Sequence, residues 1–377
     1  MPKAWHLITP EYPPQIGGVS DYTRAIAQEL ASQGEVVHVW HPRAAEPAPI
    51  LPGVVSHPLA AGFTPAGFAE LRQQWAATPA PRRLLVQWVP HGYDKRAMNW
   101  RLSAWLSERA RAGDEIDLMV HEPFLMFREG SWRQDVVALV HRFLITQALR
   151  ATTRVWMSIP SWEPLLRPWL LGRPVPLAWL PIPSGIPRNP APEPLAVFSR
   201  PAPILGHFGT YSRETQAYLL SILEPLFAAS PTPNLLLLGR DSDRFAASLR
   251  HHFPAHAEAI VGLGSLAPMA LSSALQAADV LLQPYTDGLS SRRSSAMAGF
   301  VHGKPIVSTT GKATESLWQA EEAAILLPTG DLAGIANACR NLLFTPAAAS
   351  SLGARALATY QRHFAVDGVV AKLRATI

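Results

Sequence analysis

The stretch QPYTDGLSSRRSSAMAGFVHGKPIVSTTG, residues 283–311, decides how this chain folds and raises the question of what it binds. Its second half predicts a helix of small residues, a glycine turn and an apolar strand, which is one repeat of an α/β sheet. Its first half places an acid, a glycine, four serines and the adjacent Arg292 and Arg293 in one loop. Because a helix start already carries positive potential, two arginines there indicate that a negatively charged ligand is expected.

The same alternation of strand and helix extends outward from this stretch in both directions. Apolar runs that predict buried strands occur in the second half of the chain at 203–209, 234–239, 259–264, 279–285 and 305–309. Comparable runs occur in the first half at 4–9, 36–42, 83–89, 117–121 and 154–159. Runs that are apolar throughout are typical of parallel sheets covered on both faces. The sequence therefore predicts an α/β protein of two doubly wound, Rossmann-like domains facing across a cleft.

A proline-rich stretch separates the two sets of strands and helices. Prolines are dense between residues 181 and 203, where they remove backbone donors and favour an extended linker. We therefore expect a first domain over 1–185, a linker over 186–203 and a second domain from 204. Ligands of such sheets bind beyond the carboxyl ends of the strands, so the loops that follow the strands should carry the site.

Composition limits the classes of function. The 377 residues are 48% hydrophobic and 16% charged, which is typical of globular domains, and the net charge of +5 is scattered rather than clustered. That pattern favours a locally bound anionic small molecule over nucleic acid. The single Cys339 excludes an internal disulfide and a cysteine zinc cluster. No apolar run has the length of a signal peptide or a membrane span, so we expect a cytoplasmic protein, with peripheral contact at the inner membrane face left open.

Two features of the first domain suggest ligand contacts. Gly17 and Gly18 form a strand-to-helix turn whose backbone N–H groups could approach a phosphate, although such glycines can also serve the turn alone. His121 follows a predicted strand, where it could donate to a sugar hydroxyl or to a developing charge, although many histidines only pack. No second histidine stands at metal-binding spacing, so no metal is expected.

The second domain adds two more candidate loops. Gly209, Thr210 and Arg213 could surround phosphate oxygens, although a Ser or Thr at this place can simply cap a helix. Arg292 and Arg293 offer forked donors that match a phosphate, and the alternative is a solvated turn in which Asp287 pairs with one arginine.

These motifs, in this order, resemble those of GT-B-fold glycosyltransferases, and most closely the retaining glycosyltransferase family 4. The likeness rests on the two-glycine turn, the sequence HEP at 121–123, and the loop–helix–strand run that starts at Asp287. In that family the last motif is usually E-x7-E, which places Asp287 at the first glutamate and Ser295 at the second. The loop DGLSSRR replaces this pattern here, as in a minority of bacterial relatives.

The resemblance implies roles for several residues. His121 and Asp287 would lie beside the donor sugar, with Asp287 orienting a hydroxyl, and Arg292 and Arg293 would replace the family's basic pair as catalytic ligands of the diphosphate. The remaining donor ligands implied are Gly17, Gly18, Gly209, Thr210, Arg213, Gly262, Leu263, Ser290 and Ser295, of which Gly262 and Leu263 would meet the base and Ser295 the ribose. The residues 360–377 would form a helix that crosses back to the first domain, and 204–359 would be the nucleotide-sugar domain.

The function so implied is transfer of a hexosyl group from a nucleotide diphosphate sugar to an acceptor hydroxyl, with retention and without metal or cofactor. The acceptor would be a glycan, a lipid-linked molecule or a small molecule, and it would enter through the first domain. The product would be a polysaccharide or a glycoconjugate. Residues suited to hold it are Gln87, His91, Tyr93 and Asn99, whereas Trp88 and Trp100 are expected in packing. Two alternatives stay open, a non-catalytic nucleotide-sugar-binding subunit and a sugar-nucleotide epimerase that would rely on Glu122.

Overall fold

A computed structural model describes residues 4–15, 17–78, 80, 82–94 and 97–375. The chain divides into two compact units, the first made of residues 1–183 and 366–377 and the second of residues 184–365. Residues 180–203, which include the expected linker, hold no helix or strand.

The first unit contains a seven-stranded sheet in which every neighbouring pair is parallel. Its order is β3-β2-β1-β4-β5-β6-β7, so the direction of winding reverses between β1 and β4. The strands are β1 (Trp5–Ile8), β2 (Val37–Pro42), β3 (Val54–Leu59), β4 (Arg83–Trp88), β5 (Glu115–Val120), β6 (Arg154–Met157) and β7 (Leu177–Trp179). The helices of the unit's first segment are α1 (Gly18–Ser32), α2 (Pro65–Ala76), α3 (Trp100–Arg111), α4 (Trp132–Ala151) and α5 (Glu163–Leu166), with 3-10 turns at Pro160–Trp162 and Arg167–Leu170.

The second unit repeats the plan with six parallel strands. Its order is β10-β9-β8-β11-β12-β13, and the winding reverses between β8 and β11. The strands are β8 (Ile204–Phe208), β9 (Asn234–Leu238), β10 (Ile260–Gly262), β11 (Val280–Gln283), β12 (Ile306–Thr310) and β13 (Ile325–Pro328). The helices are α6 (Arg213–Phe227), α7 (Ser242–His252), α8 (Pro268–Ala277), α9 (Ser294–Val301), α10 (Leu317–Ala320), α11 (Leu332–Leu343) and α12 (Pro346–His363), with a 3-10 turn at Pro254–Ala259.

The central strands are buried on both faces, as their apolar composition predicts. In β4, Leu84 and Val86 pack into one hydrophobic cluster while Leu85 packs into another on the opposite face of the sheet. In β9 all five residues are buried. The prediction of two doubly wound α/β domains is therefore confirmed.

Three strands were not predicted from the sequence: β3, β7 and β13. Each lies at an edge of its sheet, and β3 and β13 contain a proline that an edge tolerates because one side needs no hydrogen bonds. Their residues are partly exposed, so they lack the continuous apolar run that marks a central strand.

The end of the chain differs from the single helix expected over 360–377. Helix α12 ends at His363, and a separate helix α13 (Val366–Arg374) belongs to the first unit. The backbone turns at Phe364, which is fully buried and whose ring stacks on that of Trp318, with 5.3 Å between the centroids. Burial of this ring ends α12 before the chain leaves the second unit.

Candidate functional site

The arginine loop, residues 284–293, leaves the carboxyl end of β11, at the place where the winding of the second sheet reverses. Its neighbour β8 ends beside it, and Gln283 Nε2 donates to the carbonyl of Phe208 at 3.1 Å. Loops after the two strands that flank such a reversal form the usual ligand crevice of this type of sheet. The arginine loop is thus where the sequence analysis expected a ligand.

Asp287 holds both arginines of the loop. Arg292 donates to its Oδ2 at 2.9 Å, and Arg293 donates to its Oδ1. The guanidinium of Arg293 also lies over the ring of Tyr285, 4.6 Å from the centroid. The side chains of Arg292 and Arg293 are 23% and 27% exposed, so neither extends freely into solvent.

The charges of this cluster do not balance, because two guanidinium groups share one carboxylate. Burial alone would raise the pKa of Asp287, but the charges and hydrogen bonds of Arg293 and Arg292 outweigh it and lower the pKa. Asp287 is therefore an anion, and the cluster retains one excess positive charge. Both carboxylate oxygens are engaged, so Asp287 positions the arginines, and its contact with a sugar hydroxyl stays a prediction.

A glycine and a partly buried carboxylate fix the backbone of the arginine loop. Gly288 has a φ of +89°, and a Cβ there would lie 2.2 Å from Thr314 Oγ1. Glu315 accepts from the backbone N–H of Ser291 at 2.9 Å and from Trp318 Nε1 at 2.6 Å. Burial raises the pKa of Glu315 despite these donors. Glu315 could not be predicted from the sequence, since nothing in its own surroundings marks a residue that supports a loop 24 positions earlier.

The two loop serines expected to contact the donor occupy different surroundings. Ser295 Oγ lies 2.8 Å from the hydroxyl of Tyr285, which also donates to Gln283 at 3.1 Å. Ser290 is fully buried, and its hydroxyl has no hydrogen-bond partner within the described residues. Ser290 is thus an interior residue of the loop, whereas Ser295 stays partly exposed beside Tyr285.

The loop after β8 places Gly209, Thr210 and Arg213 at the same edge of the sheet as the arginine loop. Ser212 caps α6 through its Oγ, which accepts from the N–H of Thr215 at 3.2 Å, so the capping alternative holds for this serine. Thr210 and Arg213 are exposed, and Arg213 is the first residue of the helix.

Gly262 ends β10 and Leu263 begins the loop after it, on the far side of β9 from β8. A Cβ at Gly262 would lie 2.3 Å from the carbonyl oxygen of Ser242, so this glycine is required by packing against α7. Leu263 donates its N–H to Leu237 and continues the ladder with β9. Both residues are partly exposed.

His121 lies where the sequence predicted, directly after β5. Its Nε2 donates to Gln87 Oε1 at 2.8 Å, and its ring packs edge-on against Tyr22 at 5.0 Å between centroids. Burial lowers the pKa of His121 to about 3, so the ring is neutral at physiological pH. With its Nε2–H engaged by Gln87, the neutral imidazole can accept a further hydrogen bond at Nδ1 but carries no charge for a phosphate.

The structure corrects the role predicted for the two-glycine turn of Gly17 and Gly18. Oε1 of Glu11 accepts from the N–H groups of Val19 and Ser20, both at 3.0 Å, and so takes the place proposed for a phosphate at the start of α1. A Cβ on Gly17 would lie 2.2 Å from the same oxygen, whereas one on Gly18 would meet nothing. Gly17 is therefore needed to admit an internal carboxylate, and the first turn of α1 already holds an anion.

The role predicted for the four acceptor residues also requires a correction. Tyr93 is buried, and its hydroxyl lies 2.8 Å from the carbonyl oxygen of Gln87; Asn99, likewise buried, donates to the carbonyl of Val89 at 2.8 Å. Tyr93 and Asn99 thus stabilise their own loop and are not acceptor ligands. Gln87 is fully buried behind His121, and only His91 of the four is exposed.

The two tryptophans of this region differ. Trp88 is buried, as expected, but Trp100 is 52% exposed at the start of α3.

A cavity of about 920 Å³ in the second unit lies away from these loops. Its lining includes Asp279 and Lys304, which precede β11 and β12, so it opens at the amino-terminal edge of the sheet. Lys304 caps α8 there, because its Nζ donates to the carbonyls of Gln276 and Ala278 at 2.6 and 2.7 Å. The candidate site is the opposite edge.

Within the described residues, no group of three or more His, Cys, Asp and Glu side chains is placed to hold a metal ion. None of the helices in the same part of the chain is both long enough and apolar enough to cross a membrane.

Comparison with known proteins gives a family match over part of the chain and a fold for the whole of it. Residues 202–344 match the family described as Glycosyl transferases group 1. This segment contains the arginine loop and both strands that flank it. No match to a curated protein sequence was found.

Solved structures resemble the chain over nearly its whole length. Sucrose-phosphate synthase from Thermosynechococcus elongatus has a TM-score of 0.72 at 18% identity, covering 99% of this chain and 97% of its own. WaaG, a glycosyltransferase involved in lipopolysaccharide biosynthesis, has a TM-score of 0.66 at 14% identity, covering 98% of each chain. HepE from Anabaena in complex with UDP has a TM-score of 0.67 at 13% identity, covering 98% of each chain. The fold is the two-domain α/β fold of GT-B glycosyltransferases.

Proposed function

We propose that this protein is a retaining, metal-independent glycosyltransferase of family 4 that transfers a hexosyl group from a nucleotide diphosphate sugar to an acceptor hydroxyl. It would act in the cytoplasm in the assembly of a polysaccharide or glycoconjugate. The second unit would bind the donor, as suggested by the group 1 glycosyltransferase match over residues 202–344. The structures of HepE with UDP and with UDP-glucose support a nucleotide sugar as the class of ligand.

The pairing of two arginines with the one carboxylate of Asp287 is the observation that carries the proposal. Arg292 and Arg293 share the single carboxylate of Asp287, at the edge of the sheet where ligands of this fold bind. A diphosphate would supply the missing negative charge, and forked guanidinium donors match its oxygens. Asp287 would hold the two guanidinium groups in place before the donor binds, which reduces the conformational entropy that their side chains lose on binding.

In the proposed reaction, the bond between the anomeric carbon and the diphosphate oxygen breaks as the acceptor oxygen bonds to the same face of that carbon. The leaving diphosphate takes the acceptor's proton, so no protein nucleophile is required. Negative charge grows on the diphosphate during this step, and Arg292 and Arg293 would stabilise it. His121, neutral and fixed by Gln87 through its Nε2–H, would accept a hydrogen bond at Nδ1 from a hydroxyl of the sugar or of the acceptor.

The test replaces Arg293 by alanine in the full chain. A thermal-shift panel of UDP, GDP, ADP and dTDP first identifies the nucleotide, since a bound ligand raises the melting temperature. Release of that nucleotide from its sugar conjugates then reports turnover. We expect Arg293→Ala to lower kcat/KM by about 100-fold, the usual effect of losing one donor to a developing oxyanion.

Arg355→Ala provides the matched control, because Arg355 is an exposed arginine of α12 in the same unit. It should leave turnover and melting temperature unchanged. Unaltered turnover in Arg293→Ala, with its fold intact, would refute the role of the loop. Nucleotide binding without release from any sugar conjugate would instead favour the non-catalytic binding subunit, for which Ser295 in place of a carboxylate is the suggestive feature.

A further inference from the structure

Gln87 is a polar residue inside the buried run of strand β4. It is fully buried, as are Leu85 and Val86 before it, and Trp88 after it is 1% exposed. Its Oε1 lies 2.8 Å from Nε2 of His121, but its amide nitrogen has no hydrogen-bond partner within the described residues. A buried amide with unpaired N–H groups destabilises a fold, and an apolar side chain of similar size would avoid that cost. The reason for a glutamine here therefore lies in its contact with His121.

Several contacts fix His121 at the end of β5. Its backbone N–H donates to the carbonyl of Trp88 at 3.0 Å, and its carbonyl accepts from Ser158 Oγ at 3.0 Å and from Trp162 Nε1 at 3.2 Å. Its ring packs edge-on against the buried Tyr22. In the part of the chain that the structure describes, Nδ1 is the ring nitrogen without a hydrogen-bond partner, and the residue stays partly exposed. The ring is thus held with one nitrogen left for a ligand.

The contact with Gln87 determines what that remaining nitrogen can do. A neutral imidazole carries one N–H and one lone pair, and its hydrogen-bond partners decide which nitrogen has the proton. The amide oxygen of Gln87 can only accept, so it keeps the proton of His121 on Nε2 and the lone pair on Nδ1. Because this oxygen is uncharged, it does not favour a second proton on the ring, as a carboxylate would.

We propose that Gln87 is a positioning residue that holds His121 as the neutral Nε2–H tautomer, so that Nδ1 accepts a hydrogen bond from a substrate hydroxyl. Gln87 would act through His121 and not as the acceptor ligand that the sequence predicted. The identity of the hydroxyl rests on the proposed function. The tautomer, in contrast, is a property of the protein before any ligand binds.

This arrangement specifies the kind of ligand group that the nitrogen recognises. A lone pair attracts the proton of a hydroxyl and repels the anionic oxygens of a phosphate or a carboxylate. His121 would therefore contact a hydroxyl of the sugar or of the acceptor, whereas the diphosphate would be held by the arginine loop.

Nitrogen-15 NMR of the full chain, labelled at histidine, tests the tautomer without any sugar transfer. Two-bond correlations between the ring protons and the ring nitrogens distinguish the Nε2–H form from the Nδ1–H form. The signals of this ring are identified by their loss in His121→Asn. We expect the Nε2–H form at neutral pH in the unaltered chain. The Nδ1–H form would overturn the proposal, since the amide nitrogen of Gln87 would then face the ring.

Gln87→Met is the decisive variant, because methionine is close to glutamine in size and has no oxygen. The ring proton should then move from Nε2, which has lost its acceptor, to Nδ1, and the NMR pattern should change to the Nδ1–H form. Stability to urea should be at least that of the unaltered chain, because the unpaired amide is removed. We expect kcat for release of the nucleotide from its sugar conjugate to fall about tenfold, the effect of one lost hydrogen bond, with nucleotide affinity unchanged.

Gln73→Met is the matched control, because Gln73 is an exposed glutamine of α2 in the same unit. It should leave the tautomer of His121, the stability and kcat unaltered. If Gln87→Met does not fold, Gln87→Leu takes its place. An unchanged tautomer in the folded variant would refute the positioning role. Lower stability with unchanged kcat would also refute it, and would make Gln87 a structural residue only.

Failure of the proposed function would look different from failure of this inference. If both tautomers are found as expected but the unaltered chain releases no nucleotide from any sugar conjugate, the glycosyltransferase proposal is refuted. The role of Gln87 in holding His121 would then still stand.

Discussion

At the scale of single residues, the carboxylate of Glu11 determines how helix α1 begins. The first N–H groups of a helix have no partner within it, and Glu11 accepts from two of them, those of Val19 and Ser20. Its negative charge also lies at the positive end of the helix dipole. Gly17 leaves room for it, and the turn is therefore a self-contained capping unit.

Glu11→Ala should lower the free energy of unfolding of the first unit by about 1 kcal/mol, the usual cost of losing a helix cap. Glu11→Gln keeps an oxygen acceptor without the charge and should cost less. Urea unfolding followed by tryptophan fluorescence measures this, because eleven of the twelve tryptophans lie in residues 1–183. Glu46→Ala, at an exposed carboxylate in the same unit, is the control. Equal stabilities in Glu11→Ala and Glu46→Ala would contradict the capping role.

The sequence could predict the glycine turn but not the group that fills it. A pair of glycines after a strand can be recognised from the local sequence. The contact of Glu11 with the start of α1 depends instead on the path of the loop between them. Glu315 could not be predicted for the same reason, because it accepts a hydrogen bond from Ser291, and a strand and two turns separate the two residues in the chain. Tyr93 was misassigned because a polar aromatic residue in a loop looks the same in sequence whether its hydroxyl meets a ligand or a carbonyl.

At the scale of elements, the arginine loop is held by its contacts with the end of β12 and with the loop that follows it. Leu289 donates its N–H to Thr309 at 2.8 Å, and Ala313 donates to Asp287 at 2.9 Å. Gly288 makes this approach possible, because it adopts a left-handed φ and lies directly against Gly311 and Thr314. The positions of Arg292 and Arg293 thus depend on the close packing of two loops.

Gly288→Ala should separate those loops and abolish most of the nucleotide affinity expected of the second unit. A side chain at this φ costs about 1–3 kcal/mol, and the overlap with Thr314 adds to it. Calorimetric titration with the nucleotide diphosphate found in the thermal-shift panel measures the loss. Gly330→Ala is the control, since a Cβ there meets nothing within 4 Å. Full affinity in Gly288→Ala would show that the loop does not need this packing.

Elements with a strong periodic or apolar signal were predictable, and those whose form depends on neighbours were not. The central strands were predicted from their apolar runs, and helix α9, which the sequence marks by its small residues, begins only at Ser294. This start leaves both arginines in the loop, where Asp287 holds them. A helix start depends on which backbone groups find partners, and here the N–H of Arg293 donates to the carbonyl of Ser290 at 3.0 Å, a contact that the sequence pattern does not show.

At the scale of the whole molecule, buried neutral histidines occur in both units. Burial lowers the pKa of His6, His121 and His207 to about 3 in each case. His6 is 2% exposed, stacks on His38 and accepts from Trp40 Nε1 at 3.2 Å, so protonating its Nδ1 would break that hydrogen bond. The folded protein therefore excludes protons that the unfolded chain would bind.

The free energy of unfolding should accordingly be greatest above pH 6.5 and fall as the pH drops from there toward 3. In that window the unfolded histidines bind protons while the folded ones do not, so stability rises with pH. His6 alone should account for about 2 kcal/mol between pH 7 and 5, from its shift and ~1.4 kcal/mol per pKa unit. Urea unfolding of the first unit by tryptophan fluorescence at both pH values measures the change, and His6→Gln should reduce it by that amount. His91→Gln, at an exposed ring, should leave it unaltered. If His6→Gln and the unaltered chain lost equal stability on acidification, His6 would not be a group that folding keeps unprotonated.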